Sequence, residues 1–428
     1  MSDATAKDLS RPFAPEWPQL TDERDANVIL TPPPMSGIPA VALLVLALST
    51  TIAQGLARFS FGPLLPAMRE DIVHSYGDGG MLATVHMIGY LIGALISIGA
   101  SRRLAPDTLI KYGMLCTASG LASLTFSPAM AVAGAGLFLT GAGGALVWMS
   151  APGLATAICP RNPGRAIGIV ASSMGVGIAA GSAIPALLSM MGDWRIAWGI
   201  ETVLAVGTLL AGLRWLPRVG TSRDSVKDTV RWRPDSRWAW TVVGFASFSL
   251  GVVTCLTFFV AALRDSGHWQ PGHASASYAA IGVAMIAGGI VSERLSRSIG
   301  RLPTLAGEFV LSGLAMFLVT TAAEPWVTMA AIIVGMCMSG TAAVISADLH
   351  DRLSPPAMTA AFGLMFIPVG IGQILGPHSA GWVVDLTHNP SAAFVGGGAV
   401  MVVGAIPLLV YTVTLTVRER SVVKGTSA

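Results

Sequence analysis

Arg58 is an arginine inside a long apolar run, residues 38–66. It lies eleven positions before the polar cluster Arg69-Glu70-Asp71. At 1.5 Å per helical residue it sits about 16 Å from that cluster, near the middle of a bilayer if the run spans one. A charge at that depth is costly unless it is paired or faces a water-filled cavity. Two chemistries fit. Its planar fork can hold an anionic group, most simply a carboxylate. Alternatively, it pairs with a protein carboxylate or caps carbonyls freed by Pro63 and Pro66.

Few other titratable groups lie within apolar runs. Glu201, Glu308, His86 and His378 are the proton-relay candidates, because buried carboxyls and imidazoles can hold or pass a proton. The plainer readings are packing or interfacial carboxylates and hydrogen-bonded histidines. Asp348-Leu-His350-Asp351-Arg352 comes nearest to a metal-binding set. Carboxylates at the end of an apolar run oppose the helix dipole, so pairing of Asp348 and Asp351 with Arg352, Arg294 or Arg297 is expected instead. Cys116, Cys159, Cys255 and Cys337 stand singly, without metal or disulfide spacing. No catalytic residue, metal or cofactor is assigned. A membrane-embedded enzyme needs a cluster of such groups, and an ATP-driven pump needs a GxxxxGK[ST] loop; the sequence has neither.

The elements that hold these residues follow from composition. The chain has 428 residues, 53% hydrophobic and 11% charged, against about 25% charged in soluble domains. That excludes an ordinary soluble enzyme. A net charge of +3 without a basic stripe gives no sign of nucleic-acid binding. Twelve apolar runs recur, near 38–66, 79–100, 107–127, 130–158, 165–191, 195–216, 239–263, 274–292, 303–323, 326–349, 357–385 and 393–416. Their length suits transmembrane helices, and their continuity excludes a β-barrel. All but four of the 26 Lys and Arg fall on one side of this topology; the four are Arg58, Arg69, Arg195 and Arg264. The positive-inside rule then puts both termini in the cytosol, in a cell (inner) membrane. Residues 1–37 read as a disordered cytosolic tail, not a signal peptide. Residues 38–216 read as one six-helix bundle and 239–416 as a second. The basic segment 217–238, with Trp232 and Trp238, is the linker, and 417–428 is a cytosolic tail.

One segment repeats. AIGIVASSMGVGIAAGS from Ala166 is matched by AFGLMFIPVGIGQILGP from Ala361, about 195 residues later. Gly175, Gly177 and Gly181 recur as Gly370, Gly372 and Gly376, and Pro377 follows the last. Such glycines let two helix backbones approach closely, so all seven are expected to serve helix packing. A shift of half the chain is what parallel halves require.

These features resemble a known family. Two six-helix halves, Gly289-x-x-x-Glu293-Arg294-x-x-Arg297 after the eighth run, and Gly372-x-x-x-Gly376-Pro377-x-x-x-Gly381 in the eleventh resemble the major facilitator superfamily. Gly55-Leu-Ala-Arg58-Phe59-Ser-Phe-Gly-Pro63-Leu-Leu-Pro66-Ala-Met68 is similar to the signature of its YbfB/YjiJ-type subfamily. The loop after the second run departs from the pattern, with Ser101 near the usual acidic position. The resemblance implies an all-α fold and alternating access through a central cavity. It implies a cavity lined by Arg58, Gln54, Tyr90, Trp148, Ser150, Thr254, Thr257, Phe258, Tyr278, Ser346, Phe366 and Gln373. It also makes Glu293, with the Asp348, Asp351 and Arg352 cluster, an inner-gate latch.

The expected function is that of a monomeric secondary transporter for a small organic anion, driven by protons. Efflux of amphipathic compounds is the alternative within the same class.

Overall fold

The computed structural model describes residues 38–101, 103–188, 193–219, 233–321 and 323–426. The expected tail 1–37, Arg102 and most of the linker, including Trp232, lie outside the described residues. Among those described there are twelve long helices and no strand. Helix α1 runs in segments, Ile38–Thr50, Thr51–Leu56, Ala57–Phe59 and Phe61–Arg69. It is followed by α2 (Tyr76–Ala100), α3 (Pro106–Thr125), α4 (Met130–Ile158), α5 (Pro163–Leu188) and α6 (Trp194–Trp215). The second half contains α7 (Ser236–Gly267), α8 (Pro271–Ile299), α9 (Arg301–Val319), α10 (Trp326–Arg352), α11 (Pro355–Thr387) and α12 (Ser391–Thr426). Eleven of the twelve are long and apolar enough to cross a membrane. The exception is α3, which has 20 residues and opens on the Asp107–Lys111 ion pair.

Local chemistry sets the helix ends. The Ser75 hydroxyl accepts from the Asp78 amide to cap α2, and the Asp235 carboxylate accepts from the Trp238 amide to cap α7. Prolines open α3, α8 and α11, where a missing N–H is harmless. His268 and His388 end α7 and α11 in the left-handed region, at φ 52° and 51°. Several helices outrun the apolar stretches that announced them. Helix α8 continues to Ile299 through Ser-Glu-Arg-Leu-Ser-Arg, and α12 continues to Thr426. Backbone hydrogen bonding does not stop where hydrophobicity does.

Helix α1 is irregular for a stated reason. Pro63 has no N–H to offer the Phe59 carbonyl four residues earlier. The helix breaks at Ser60, and a π-helical turn, Thr51–Leu56, precedes the break. The freed Phe59 carbonyl accepts a hydrogen bond from the Tyr278 hydroxyl of α8, at 3.1 Å.

Helices α1–α6 pack mainly among themselves, as do α7–α12. Across the two sets, α2 lies on α11, α5 on α8, and the last segment of α1 on α7. The repeated glycines make these approaches possible. Gly177 lies against Gly55 of α1, and its counterpart Gly372 lies against the Ala246 carbonyl of α7. Gly181 and Gly376 face α1 and α7 in the same way, beside Ser60 and Leu250. Gly175 meets Gly282 of α8, and Gly370 meets Leu91 of α2, so this pair faces the opposite half. The Pro377 carbonyl packs onto Gly80 of α2. Gly168 and its counterpart in the repeat, Gly363, face open space.

Candidate functional site

Arg58 lies at the centre of the interface between the halves, half-buried on the short segment between the π-helical turn and the Ser60 break. Its Nη1 donates to Gln54 Oε1 at 3.2 Å, and its Nη2 donates to Gln373 Oε1 of α11 at 3.1 Å. The guanidinium also stands 4.5 Å from the Tyr90 ring centroid and 5.1 Å from that of Phe59, a cation–π cradle. Gln54 is fixed in turn by donating to the Gly144 carbonyl of α4 at 2.7 Å. Among the described residues Arg58 has no carboxylate partner, and its buried Nε has no acceptor. The expected alternative of a protein carboxylate or a proline-freed carbonyl is therefore corrected. Amide oxygens and aromatic faces hold the arginine, and Tyr278 takes the carbonyl that Pro63 frees.

A small cavity adjoins the guanidinium. Helix α1 contributes Arg58, Phe59 and Phe61, α2 contributes His86 and Met87, and Thr257 and Tyr278 come from the second half. The lining is mostly apolar. His86 is buried, with Nδ1 3.1 Å from the Thr140 hydroxyl and Nε2 without a partner. Ring-nitrogen roles depend on the tautomer.

The remaining expected cavity residues divide. Tyr90 and Phe366 meet in a satellite apolar cluster with Ala94 and Ala145. Ser150 is buried with an unpartnered hydroxyl, and Trp148 is half-buried on α4. Thr254 is corrected: its hydroxyl returns to the Leu250 carbonyl, and the side chain packs between α7, α11 and α12. Phe258 is also corrected, since it is fully buried against the Tyr76 ring, 5.6 Å between centroids, away from the cavity. The Ser346 hydroxyl donates to the Ala342 carbonyl one turn back. A period of 3.6 residues says which residues share a face, but not which neighbour covers that face.

Among the proton-relay candidates, His378 is exposed on the same face of α11 as Leu375 and Trp382, not inside the bundle. Glu201 and Glu308 are not interfacial. They are 0% and 5% exposed. Glu308 Oε2 accepts from the Thr341 hydroxyl at 3.0 Å. Neither oxygen of Glu201 has a hydrogen-bond partner in the protein.

Of the expected latch set, Asp348 does pair with Arg352, as expected, and the other partners differ. Glu293 pairs with Arg297 at 2.7 Å and Arg301 at 3.6 Å, and Arg301 pairs with Asp351 at 3.0 Å. Arg352 pairs with Asp348 and Asp235, each at 2.9 Å, and Arg237 also bonds Asp348. Arg294 is exposed. Among the described residues every one of these pairs joins elements of the second half, so in this conformer the network fastens that half internally. The physical reason is proximity: the start of α9 and the ends of α8 and α10 meet at one corner, and the buried Asp348 must be charge-compensated there.

Among the described residues the ion pairs between halves lie at the opposite end of the bundle. Arg69 pairs with Asp265 at 2.5 Å, and Arg264 with Glu70 at 3.5 Å. The Tyr76 hydroxyl donates to Asp265 at 2.6 Å. Asp385, at the end of α11, accepts from the backbone amides of Tyr76 and Gly77 at 3.0 and 2.7 Å. A carboxylate from the second half thus caps the N-terminus of α2 in the first, a favourable charge for that helix dipole. On the same face Arg195 bonds Asp71 at 2.6 Å, and that hydrogen bond holds the Asp71 carboxyl below its ordinary range. The sequence signal was present in part: Arg69 and Asp385 border their apolar runs, while nothing in the sequence marked Asp265 as a partner.

The comparisons agree with this architecture. The sequence profile of a family described as "Uncharacterised MFS-type transporter YbfB" matches residues 50–409. "Uncharacterized transporter YycB" of Bacillus subtilis (strain 168) is 23% identical over 348 residues, covering 77% of this chain and 83% of that protein. "Monocarboxylate transporter 13" of Rattus norvegicus is 23% identical over 390 residues, covering 88% and 89%. The crystal structure of nucleoside transporter NupG (D323A mutant) superposes with a TM-score of 0.74 over 86% of this chain and 99% of that one, at 13% identity. At that identity the likeness is one of fold.

Proposed function

This chain belongs to the YbfB-type family of major facilitator transporters, and on that premise we propose that it moves a small organic anion by alternating access, with Arg58 as the anion-binding residue. One observation carries the reading: a half-buried guanidinium meets neutral amide oxygens and, among the described residues, no carboxylate, beside a cavity between the halves. An arginine kept from any carboxylate retains its charge for a ligand, and its fork suits a carboxylate. The apolar lining around it suits the organic part of such a molecule. The name of the Rattus norvegicus relative, a monocarboxylate transporter, is consistent with that chemistry.

The excess of basic residues on the side of the termini supports a cytosolic position for both ends. The end fastened by Arg69–Asp265 and Asp385 is then the outer one, and the conformer described is closed outward. Protons are the proposed coupling ion. A protonophore should abolish accumulation, and persistence under it would favour another driving ion.

The test of the substrate class is a thermal-shift screen of the purified protein with anionic and cationic libraries in parallel. A ligand that binds the folded state raises its apparent stability by mass action. Stabilisation confined to carboxylates, and lost in Arg58→Ala, supports the proposal. Hits confined to hydrophobic cations would replace it with efflux of amphipathic compounds.

A further inference from the structure

Glu201 is a buried acid that the anion site does not use. It lies on α6, fully enclosed, and neither carboxyl oxygen has a hydrogen-bond partner in the protein. Two more orphan polar groups share its surroundings. Trp198, one turn earlier on α6, is fully buried with Nε1 unpartnered. Ser60, at the break in α1, is fully buried with its hydroxyl unpartnered, and the α1 segments on either side of it pack on α6. The helices against α6 are α1, α3 and α5. Their ionisable groups are Arg58 and Arg69 on α1, Asp107, Lys111, Tyr112 and Cys116 on α3, and Arg165 on α5. Among the described residues none of these hydrogen-bonds or ion-pairs with Glu201.

A carboxylate ion enclosed without a donor or a counter-charge is strongly disfavoured, whereas the neutral acid tolerates such a site and can itself donate. The fitting donor–acceptor partner is the Ser60 hydroxyl. Ser60 stands two residues from Arg58, in the irregular part of α1 where the backbone is not held by a full helical ladder.

We propose that Glu201 and the Ser60 hydroxyl form a proton-binding site that links the protonation of the first half to the placement of Arg58. With the proton on Glu201 the neutral acid needs no counter-charge, and α1 keeps the arrangement seen here. When the proton leaves to water, the carboxylate needs donors. Ser60 then turns to donate, and the α1 break must shift to admit more. Glu308 is the poorer candidate, because one of its oxygens is already bonded to Thr341 and it lies within the second half, away from Arg58.

The inference rests on the transporter reading but not on the anion, so its test uses no substrate. Infrared difference spectra of the protein in liposomes should show a protonated-carboxyl band at neutral pH that vanishes on alkalinisation. The band should be absent in Glu201→Gln and retained in Glu308→Gln and Arg58→Ala. Ser60→Ala, which leaves Glu201 in place, should shift its frequency. In a background lacking the four native cysteines, labelling of Ala67→Cys should rise with pH, and Glu201→Gln should flatten that rise. An unchanged band in both Glu201→Gln and Ser60→Ala, or pH-dependent labelling that persists in Glu201→Gln, overturns the proposal. No stabilisation of the parent protein by any anion, with the band intact, would count against the Arg58 reading alone.

Discussion

The guanidinium of Arg58 reaches the side-chain oxygen of Gln373 at 3.1 Å, although the two residues are 315 positions apart and lie in opposite halves. Gln373 falls within the repeated segment, where the first half has Ile178. The repeat supplies a shared backbone, and at this position the second copy is polar where the first is apolar. The pair joins the proposed anion site to the interface that must open and close.

Arg58→Ala should lower affinity for a carboxylate found by the screen by about ten- to a hundred-fold, the loss of a charge-assisted hydrogen bond of about 1.5–3 kcal/mol. Arg58→Lys should lose less, because it keeps the charge and gives up the fork. Gln373→Leu should lose least, since Gln54 still orients the arginine. Calorimetric titration checks the order, and full affinity in the alanine variant would remove Arg58 from the site.

The end of the bundle fastened by Asp385 should open when that carboxylate is neutralised. Asp385→Asn weakens two charge-assisted bonds to the α2 amides, and a change of about 1–2 kcal/mol moves a two-state population roughly five- to thirty-fold. Spin-label distances across that end should lengthen. Glu293→Gln, whose partners all lie in the second half, should leave the same distances unchanged. A shift of equal size in both variants would restore the latch expected from the sequence.

Steric tests separate the repeated glycines. Gly372→Ala puts a methyl into the Ala246 carbonyl, and overpacking of this kind costs about 1–3 kcal/mol. Its melting temperature in detergent should fall by several degrees. Gly363→Ala meets nothing within 4 Å and should melt with the parent protein. Equal melting of the two variants would mean that α7 and α11 are not packed as described.

The Asp71–Arg195 bond gives a signed pH effect. A carboxyl held below its ordinary range favours the folded form at every pH above that range and loses the contribution as pH falls through the lowered value. The loop after α1 should therefore loosen in acid, and Asp71→Asn should flatten the response. Hydrogen exchange at Asp71–Val73 measured against pH reads it directly.

Much of the fold is legible in the sequence, because membrane spans follow one composition rule and loop charge gives their parity. Arg58 is legible for the same reason: a lone charge in a run such as 38–66 is costly and must meet a partner or a cavity. What contacts it is less so. Gln54 lies one helical turn before it, Tyr90 could be placed near it only through the family resemblance, and whether an amide or a carboxylate meets Arg58 is decided by tertiary packing. The latch residues find partners within their own half in this conformer for a general reason. Carboxylates and guanidiniums at helix ends pair with whatever end lies closest, and Asp348 found Arg237 and Arg352 within its own half. Asp385 and Asp265 look ordinary in sequence, since a lone acid at a span end carries no mark of its partner.

The π-helical turn of α1 has a consequence in helical phase. An α-helix advances about 100° per residue, so a turn that holds one extra residue offsets every side chain beyond it by about that angle. Arg58, Phe59 and Ser60 all lie downstream of Thr51–Leu56. Relaxing that turn to a regular helix would roll the whole segment by roughly a quarter turn about its own axis. Arg58 would swing away from Gln373 and Ser60 away from Glu201 in one motion, with the Gly55–Gly177 crossing as the pivot.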